Sequence, residues 1–292
     1  MARYLVTGGA GFIGSNLCED LVKAGHQVSV IDNLTTGSIK NLKGIKVGLE
    51  IGKIPNIEYW TPDSLDGIFH LGMPSSIPPY KDNRQENITS VVSEFLYLLD
   101  FCKDSGCKIV FASTSNVYSG NRLPWIEGMQ IEPKDFYADT RYFLERVAEI
   151  YHQFYGVKYV ALRLFANYGP RETYKKTWAS VISQMIWAKN ADKTFKVYGD
   201  GNQERDYIFV KDTVRAFRLA MLNNVTSGSF NVGTGISTSF NRLIDIIRPK
   251  VEYVNNPVTN YVYSTRANTQ LTEASLHFKP EVSLEEGIKC LI

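Results

Sequence analysis

A glycine-rich segment near the start of the chain constrains the fold more than any other feature. Residues Thr7 to Gly14 read Thr-Gly-Gly-Ala-Gly-Phe-Ile-Gly. An apolar run from Arg3 to Thr7 precedes this segment, and apolar residues at helical spacing follow it from Phe12 to Ala24. A strand, a glycine-rich loop and a helix in this order are typical of a dinucleotide-binding unit.

The spacing of the glycines gives each of them a physical role in such a unit. Gly8 permits a tight turn, Gly11 lets the backbone approach a pyrophosphate, and Gly14 lets the helix pack closely against the strand. Phe12 and Ile13 open the helix, whose free N–H groups and dipole favour a phosphate at its N-terminus. We therefore expect these five residues to bind the cofactor.

An acidic residue at the end of the next strand predicts which cofactor binds. Gln27 to Ile31 is an apolar strand, and Asp32 follows it directly. A carboxylate there would hold ribose hydroxyls and repel a 2′-phosphate, and Asn33 adds no positive charge. The sequence therefore favours NAD over NADP, although Asp32 considered alone is also an ordinary turn residue.

Strands and helices alternate through the first half of the chain. Further short apolar runs lie at Gly67 to Leu71, Lys108 to Ala112 and Val157 to Phe165. This pattern predicts an α/β fold, a doubly wound parallel sheet (Rossmann) over residues 1–165. Residues 166–292 are expected to form a smaller mixed α/β C-terminal substrate lobe, with a segment near 206–225 returning to the sheet.

Two predicted helices carry more apolar residues than a sheet-covering helix needs. They run roughly from Thr89 to Asp104 and from Asp139 to Tyr155. One apolar stripe is enough to cover a sheet. The excess favours a homodimer built on a four-helix bundle, and packing against the second lobe is the alternative.

Composition excludes several classes of function. Hydrophobic residues make up 44% and charged residues 21% of the 292 residues, which is typical of a globular enzyme. A net charge of +2 gives no reason to expect nucleic acid or a membrane surface as partner. No secretory signal or membrane span is expected, and scattered cysteines and histidines predict a cytoplasmic protein without a metal site.

Several motifs, in order along the chain, resemble those of the extended short-chain dehydrogenase/reductase superfamily. After the glycine loop they include Ala112-Ser-Thr-Ser-Asn-Val-Tyr118, Tyr137-Ala-Asp-Thr-Arg141, Arg163-Leu-Phe-Ala-Asn-Tyr-Gly-Pro-Arg171 and Tyr198-Gly-Asp-Gly-Asn-Gln-Glu-Arg-Asp206. The chain is most similar to the NAD-dependent nucleotide-sugar epimerases of the UDP-glucose 4-epimerase type. The resemblance implies a nucleotide sugar, most simply a UDP-sugar, as substrate.

The resemblance also assigns roles to individual residues. Tyr137 would be the acid/base, Thr114 its partner, and Arg141 would bind the nicotinamide ribose. The remaining implied cofactor contacts are Leu34, Glu50, Ile51, Leu71, Gly72, Met73 and Phe165. The implied substrate contacts are Thr114, Ala166, Asn167, Val197 and Arg205.

The chemistry explains why such residues are needed. Inverting a sugar carbon that has no acidic C–H requires temporary oxidation, with a base for the hydroxyl proton and a hydride acceptor. A free tyrosine keeps its proton at neutral pH, so a tyrosine base needs a nearby cation. Arg141 lies four residues after Tyr137 and shares its helical face. Taken alone, the pair also fits an aromatic and a cation on an exposed helix start.

Three departures from the family pattern bear on the function. Arg141 stands where the family has lysine, and arginine keeps the charge but does not release a proton. Ser115 and Asn116 stand where sugar dehydratases and decarboxylases carry an acid/base pair. Ala166 replaces an asparagine that contacts substrate. The sequence therefore favours C4 epimerisation, with a dehydratase, decarboxylase or reductase as the alternative, and a cofactor-binding protein without turnover as the second alternative.

Overall fold

A seven-stranded parallel sheet dominates the computed structural model, which describes residues 1–54, 65–257 and 261–292. The described strands are β1 (Arg3–Thr7), β2 (Gln27–Asp32), β3 (Gly48–Ile51), β4 (Gly67–His70), β5 (Lys108–Thr114), β6 (Tyr159–Leu164), β7 (Ala166–Tyr168), β8 (Thr194–Tyr198), β9 (Glu204–Phe209), β10 (Ser229–Val232), β11 (Ser237–Ser239) and β12 (Lys250–Val254). The described helices are α1 (Phe12–Lys23), α2 (Ile77–Asp82), α3 (Arg84–Ser105), α4 (Phe136–Tyr155), α5 (Val181–Asn190), α6 (Val210–Leu222), α7 (Phe240–Ile247), α8 (Gln270–Leu276) and α9 (Leu284–Lys289).

The sheet has the order β10-β6-β5-β4-β1-β2-β3, and every neighbouring pair is parallel. The direction of winding reverses at β1, which lies between β2 and β4. In open sheets of this kind, ligands bind in the crevice at the carboxyl ends of the strands where the order reverses. The topology therefore directs attention to the residues that follow β1, β2, β4 and β5.

Both faces of the sheet are covered by helices, because successive strand residues point to opposite faces. In β1, Tyr4 and Val6 pack in a core with α1 and α6, whereas Leu5 packs in a second core with α3 and α4. Strands buried on both sides are predominantly apolar, which explains their nearly continuous apolar runs.

The second lobe contains two small sheets. One has the order β11-β9-β7 and mixes parallel with antiparallel pairing, and the other pairs β12 with β8. A third apolar core lies beneath them, with α5 and α7 packed against it. This agrees with the expected smaller mixed lobe.

The segment that returns to the main sheet is longer than the sequence predicted. Within the expected range 206–225, α6 packs against α1, but β9 belongs to the small three-stranded sheet. Beyond that range, β10 adds an edge strand beside β6. Its short run, Ser229 to Val232, gives no periodic signal of its own, so only long-range pairing reveals it.

Within the described ranges, no helix combines the length and apolar character required to cross a membrane. The same part of the chain contains no group of three or more His, Cys, Asp or Glu side chains placed to hold a metal ion.

Candidate active site

The glycine loop has the geometry that its sequence predicts. Gly8 adopts φ 69°, and a Cβ on it would meet the backbone of Leu71 and Gly72 within 2.7 Å. A Cβ on Gly14 would overlap the Gly8 carbonyl oxygen, so only glycine lets α1 approach the turn this closely. At Gly11 the nearest atom to such a Cβ is the Gly8 oxygen at 3.1 Å, and nothing else lies within 4 Å. The loop therefore presents bare backbone in front of α1, as a pyrophosphate requires.

Asp32 organises this loop from the end of β2. One carboxylate oxygen accepts a hydrogen bond from the Ala10 N–H at 2.9 Å, and the other accepts one from the Leu34 N–H at 2.8 Å. Burial raises the pKa of Asp32, and the hydrogen bonds from Leu34, Ala10 and Gly11 oppose that rise. Each carboxylate oxygen has a further lone pair, so the group still has capacity to accept ribose hydroxyls.

The residues around Asp32 include the other residues predicted to contact the nucleoside part of the cofactor. Ile51 pairs with Asp32 in the β2–β3 register, and Glu50 precedes it. Ile51 is exposed, Asn33 is exposed, and Leu34 adopts a left-handed φ of 57°. A left-handed leucine costs about 1–2 kcal/mol, and nothing in the sequence predicts it.

The loop after β4 is fixed to the end of β1. The Thr7 hydroxyl oxygen accepts hydrogen bonds from the N–H groups of Leu71 (3.2 Å) and Gly72 (3.1 Å). It also lies 2.7 Å from His70 Nδ1, and because both of its lone pairs already accept N–H groups, we assign the hydroxyl as the donor to that nitrogen. Burial, followed by the Arg141 charge, lowers the pKa of His70 to about 3. His70 is therefore a neutral acceptor that orders the loop.

Tyr137 and Arg141 meet as their spacing predicts. Both lie on α4, whose first turn is capped by the Asp135 carboxylate accepting the Ala138 N–H at 2.9 Å. The Arg141 Cζ atom is 5.4 Å from the centroid of the Tyr137 ring, and both side chains are buried. The alternative of an exposed aromatic and cation therefore does not describe this pair.

The guanidinium makes contacts that sequence reasoning did not anticipate. One Arg141 amino group donates to the Pro74 carbonyl oxygen at 2.7 Å, and the other contacts the Met73 sulfur. Among the described residues, no carboxylate forms an ion pair with it. A buried cation paired only with neutral atoms strongly favours a negative charge placed beside it.

Thr114 ends β5 and is buried beside this helix. Its hydroxyl oxygen accepts the Asn116 N–H at 3.2 Å, which leaves the hydroxyl proton available for donation. Ser115 and Asn116 begin a 3₁₀ turn over Ser115–Tyr118. Neither of these two side chains titrates near neutral pH, so Ser115 and Asn116 supply no acid or base.

Behind the site lies a buried ionic network that the sequence analysis did not identify. The Arg163 guanidinium on β6 binds both carboxylate oxygens of Glu145 on α4, with its closest contact at 2.6 Å. Glu145 also accepts hydrogen bonds from Ser113, next to Thr114, and from Ser229 on β10 at 3.0 Å. In the sequence, the feature that could have revealed this network is the charged residue Arg163 inside the otherwise apolar run of β6. The network fixes α4 relative to β5.

Apart from Thr114, the predicted substrate residues lie in the second lobe or at its entrance, where the predicted cofactor contact Phe165 also lies. Phe165 is buried, and Ala166 opens β7. The Asn167 amide donates to the Phe165 carbonyl at 2.9 Å, and its oxygen accepts from the Thr213 hydroxyl, so the side chain points toward α6. Val197 is fully buried in the lobe core, which leaves only its backbone for a ligand.

Arg205 lies beside a groove in that lobe. It donates to the carbonyl oxygens of Glu204 (2.7 Å) and Tyr263 (3.1 Å), and its Cζ atom is 5.2 Å from the Tyr261 ring centroid. The groove has a volume of about 630 Å³, and Tyr198 and Tyr261 are among its lining residues. Among the described residues neither Asp206 nor Glu204 forms an ion pair with Arg205, which therefore keeps donors for an anion.

Asp206 beside it has a structural role. Its buried carboxylate accepts hydrogen bonds from the N–H groups of Thr234 (2.7 Å), Gly235 (2.9 Å) and Ala267 (3.0 Å). Burial raises the pKa of Asp206, and these bonds oppose the rise. The carboxylate therefore connects β9 with the segment at Thr234 and Gly235 and with the segment at Ala267. The sequence motif did not reveal these connections.

Comparisons with known proteins agree with this geometry. Residues 4–233 match the model of the NAD dependent epimerase/dehydratase family. The chain is 31% identical to a UDP-glucuronate 4-epimerase of Thermodesulfobacterium geofontis, over 99% of this chain and 94% of that protein. It is 29% identical to UDP-glucuronic acid decarboxylase 1 of Arabidopsis thaliana, over 99% of this chain and 69% of that protein.

A solved structure gives the same result for the fold. The UDP-glucose 4-epimerase of Thermus thermophilus, in complex with NAD, matches with a TM-score of 0.86 and 27% identity. The match covers 99% of this chain and 97% of that one. The expected doubly wound α/β fold is therefore confirmed.

Proposed function

The chain belongs to the NAD dependent epimerase/dehydratase family, and from that premise we propose that it epimerises a UDP-sugar at C4 through a transient 4-keto intermediate. The expected family and the NAD cofactor are confirmed at the level of the family. The observation that carries the finer proposal is the buried Arg141 guanidinium 5.4 Å from the Tyr137 ring, beside the cofactor loop.

The cofactor fits the residues of the site. Gly8, Gly11 and Gly14 give the close backbone approach, and Asp32 has lone pairs for ribose hydroxyls. When bound there, NAD supplies a hydride acceptor. The Arg141 contacts with Met73 and Pro74 hold the loop along which the nicotinamide end would lie.

The chain's own residues would perform the proton transfers. Tyr137 takes the proton of the C4 hydroxyl, and the uncompensated charge of Arg141 stabilises the phenolate on which this depends. Thr114 keeps its hydroxyl proton free and donates it to the substrate oxygen. After the ketone turns, the hydride would return from the bound cofactor to the opposite face of C4 and Tyr137 returns the proton to the C4 oxygen, so the cycle is balanced without a further acid.

The turn at Ser115 and Asn116 supports epimerisation over the alternatives on this scaffold. Dehydration or decarboxylation needs a group that titrates at the position after the threonine, and neither side chain provides one. The likeness to a plant decarboxylase keeps that reaction as the second candidate.

Product analysis on a panel of nucleotide sugars tests the proposal. We expect purified protein to interconvert a UDP-hexose and its 4-epimer without added cofactor. A 4-keto-6-deoxy product would instead show a dehydratase, and UDP-xylose from UDP-glucuronate would show a decarboxylase. A protein that binds NAD and converts no member of the panel would contradict turnover altogether.

We also propose that the protein is a homodimer through α3 and α4. Phe143, Ile150 and Phe154 form an exposed apolar stripe on α4. Substituting Phe154→Glu should give a monomer by light scattering, because a desolvated carboxylate is costly in an apolar interface. The matched control is Leu222→Glu on α6, also exposed, which should leave the mass unchanged. A wild-type monomer would refute this assembly.

A further inference from the structure

A second tyrosine lies at the reaction centre and has no role in the mechanism above. Tyr80 on α2 is fully buried, and among the described residues its hydroxyl has no hydrogen-bond partner. Leaving such a group unsatisfied costs about 1–3 kcal/mol. Buried hydroxyls are nearly always hydrogen-bonded in native proteins, so one that lacks a partner in a reactive site needs an explanation.

The surroundings of Tyr80 identify what this hydroxyl serves. Its ring centroid lies 5.7 Å from that of Tyr137, with the planes inclined by 52°. Helix α2 packs against both α3 and α4, and the Asn87 amide of α3 fastens it by donating to the Pro79 carbonyl oxygen at 3.0 Å. Tyr80 is therefore held against the helix that carries the proposed base.

The protonation of the neighbouring groups makes Tyr80 a donor. Burial raises the pKa of the Tyr80 phenol, and the charge of Arg141 opposes this only in part. Arg141 on α4 lies over the Tyr137 ring, Arg84 of α3 lies over Phe136 next to it in the chain, and His70 of β4, close enough to Arg141 to be affected by its charge, is neutral. The Arg141 amino groups are directed to Met73 and Pro74.

We propose that Tyr80 is a positioning residue for Tyr137, whose oxygen accepts a hydrogen bond from the Tyr80 hydroxyl when it becomes negatively charged. The bond forms only in the charged state, because a neutral phenol oxygen gains much less from it. The two neighbours of Tyr137 thus act differently, since Arg141 supplies the electrostatic field and Tyr80 supplies the direct hydrogen bond. This inference rests on the proposed redox function but not on which sugar carbon reacts.

Substituting Tyr80→Phe tests the proposal because it removes one oxygen and keeps the ring. We expect hydride transfer to bound NAD, followed as NADH formation in a single turnover, to slow about tenfold, as for loss of a hydrogen bond to a charged group. The KM should not change, since the proposal directs the Tyr80 hydroxyl to the Tyr137 oxygen and gives it no contact with the sugar. The melting temperature should stay equal or rise, because an unsatisfied buried hydroxyl is removed.

Tyr207→Phe is the matched control. Tyr207 on β9 is also buried with an unpartnered hydroxyl among the described residues, but it belongs to the core of the second lobe. Its variant should show the same change in stability and the wild-type rate. A Tyr80→Phe enzyme that transfers hydride at the wild-type rate, or that is slow only because it has lost stability, would overturn the proposal.

The single-turnover rate distinguishes a failure of this inference from a failure of the proposed function. If the sugar is oxidised at another carbon, C4 epimerisation fails while the comparison of single-turnover rates still decides the role of Tyr80. Absence of hydride transfer from every nucleotide sugar in the wild-type protein would overturn both.

Discussion

A guanidinium buried beside a phenol acts differently from an ammonium ion at the same place. Arg141 is planar and always charged, and its fork of donors binds the loop at Pro74 while its face lies near Tyr137. In the proposed mechanism it stabilises a phenolate without taking part in proton relay. This suits a reaction in which the same proton leaves and returns in one cycle. In a net reductase, by contrast, the tyrosine must take a new proton from solvent in every cycle.

Substitution of Arg141 should separate its charge from its shape. We expect Arg141→Met to lower kcat about 100-fold, because the phenolate loses its only buried cation among the described neighbours. Arg141→Lys should retain activity to within about tenfold, since the charge remains and only the fork is lost. Steady-state kinetics on both variants check this. Full activity in the methionine variant would show that the cation has no catalytic role.

His70 predicts an acid-sensitive step in stability. Its pKa is about 3 in the native protein and 6.5 when free, so below pH 6.5 the unfolded chain binds a proton that the native protein does not. The free energy of unfolding therefore falls as pH drops from 6.5 toward 3, by about 2 kcal/mol at pH 5. In His70→Asn, which keeps an acceptor for Thr7, this contribution should vanish. Urea unfolding at pH 7 and pH 5 measures it, and equal pH slopes in both proteins would exclude it.

At the scale of elements, the register of α4 against the sheet depends on one buried ion pair. Glu145 receives hydrogen bonds from β5, β6 and β10, so a single carboxylate aligns the strand that carries Thr114 with the helix that carries Tyr137. Buried pairs of this kind cost much to break on one side and little to replace as a whole.

A double-mutant cycle should reveal this asymmetry. Glu145→Ala leaves Arg163 buried without its partner and should lower the free energy of unfolding by about 3–5 kcal/mol. Adding Arg163→Met should restore part of that loss, because the stranded charge is gone. The surface pair of Arg242 with Glu285, at 3.0 Å and more than half exposed, is the control, and Glu285→Ala should cost under about 1 kcal/mol. Additive losses at Glu145 and Arg163 would contradict the account.

Local signals were strongest where an element is long or carries glycine. The sequence predicted β1 to its observed limits and α1 to within one residue, because both flank the glycine loop. It missed β3 and β10, because each of these strands has only four residues and shows no periodicity. The pairing of Tyr137 with Arg141 was accessible because it is local. The contacts of Arg141 with Pro74 and of Glu145 with Arg163 join distant segments, and no local pattern encodes them.

For the whole molecule, the choice of cofactor follows from the crevice at the carboxyl ends of β1, β2 and β4. The carboxylate of Asp32 would repel a 2′-phosphate, and the uncharged Asn33 beside it adds no cation at that position. NAD binds the native chain and should raise its stability by about 2.7 kcal/mol at a hundred times its Kd. Thermal unfolding of protein freed of its bound cofactor should show this shift with NAD and almost none with NADP at the same concentration. An equal shift with both would mean that Asp32 does not read the ribose.

The most direct test of the proposed reaction follows the hydrogen at the reacting carbon. UDP-glucose carrying deuterium at C4 should give UDP-galactose that retains the deuterium at C4, because in the proposed cycle the same hydride returns to the other face. Mass and NMR analysis of the product, in ordinary water and without added cofactor, makes the measurement. Retention of the label with inverted configuration is the predicted result. Loss of the label to solvent, or a product unchanged at C4 and altered elsewhere, would contradict it.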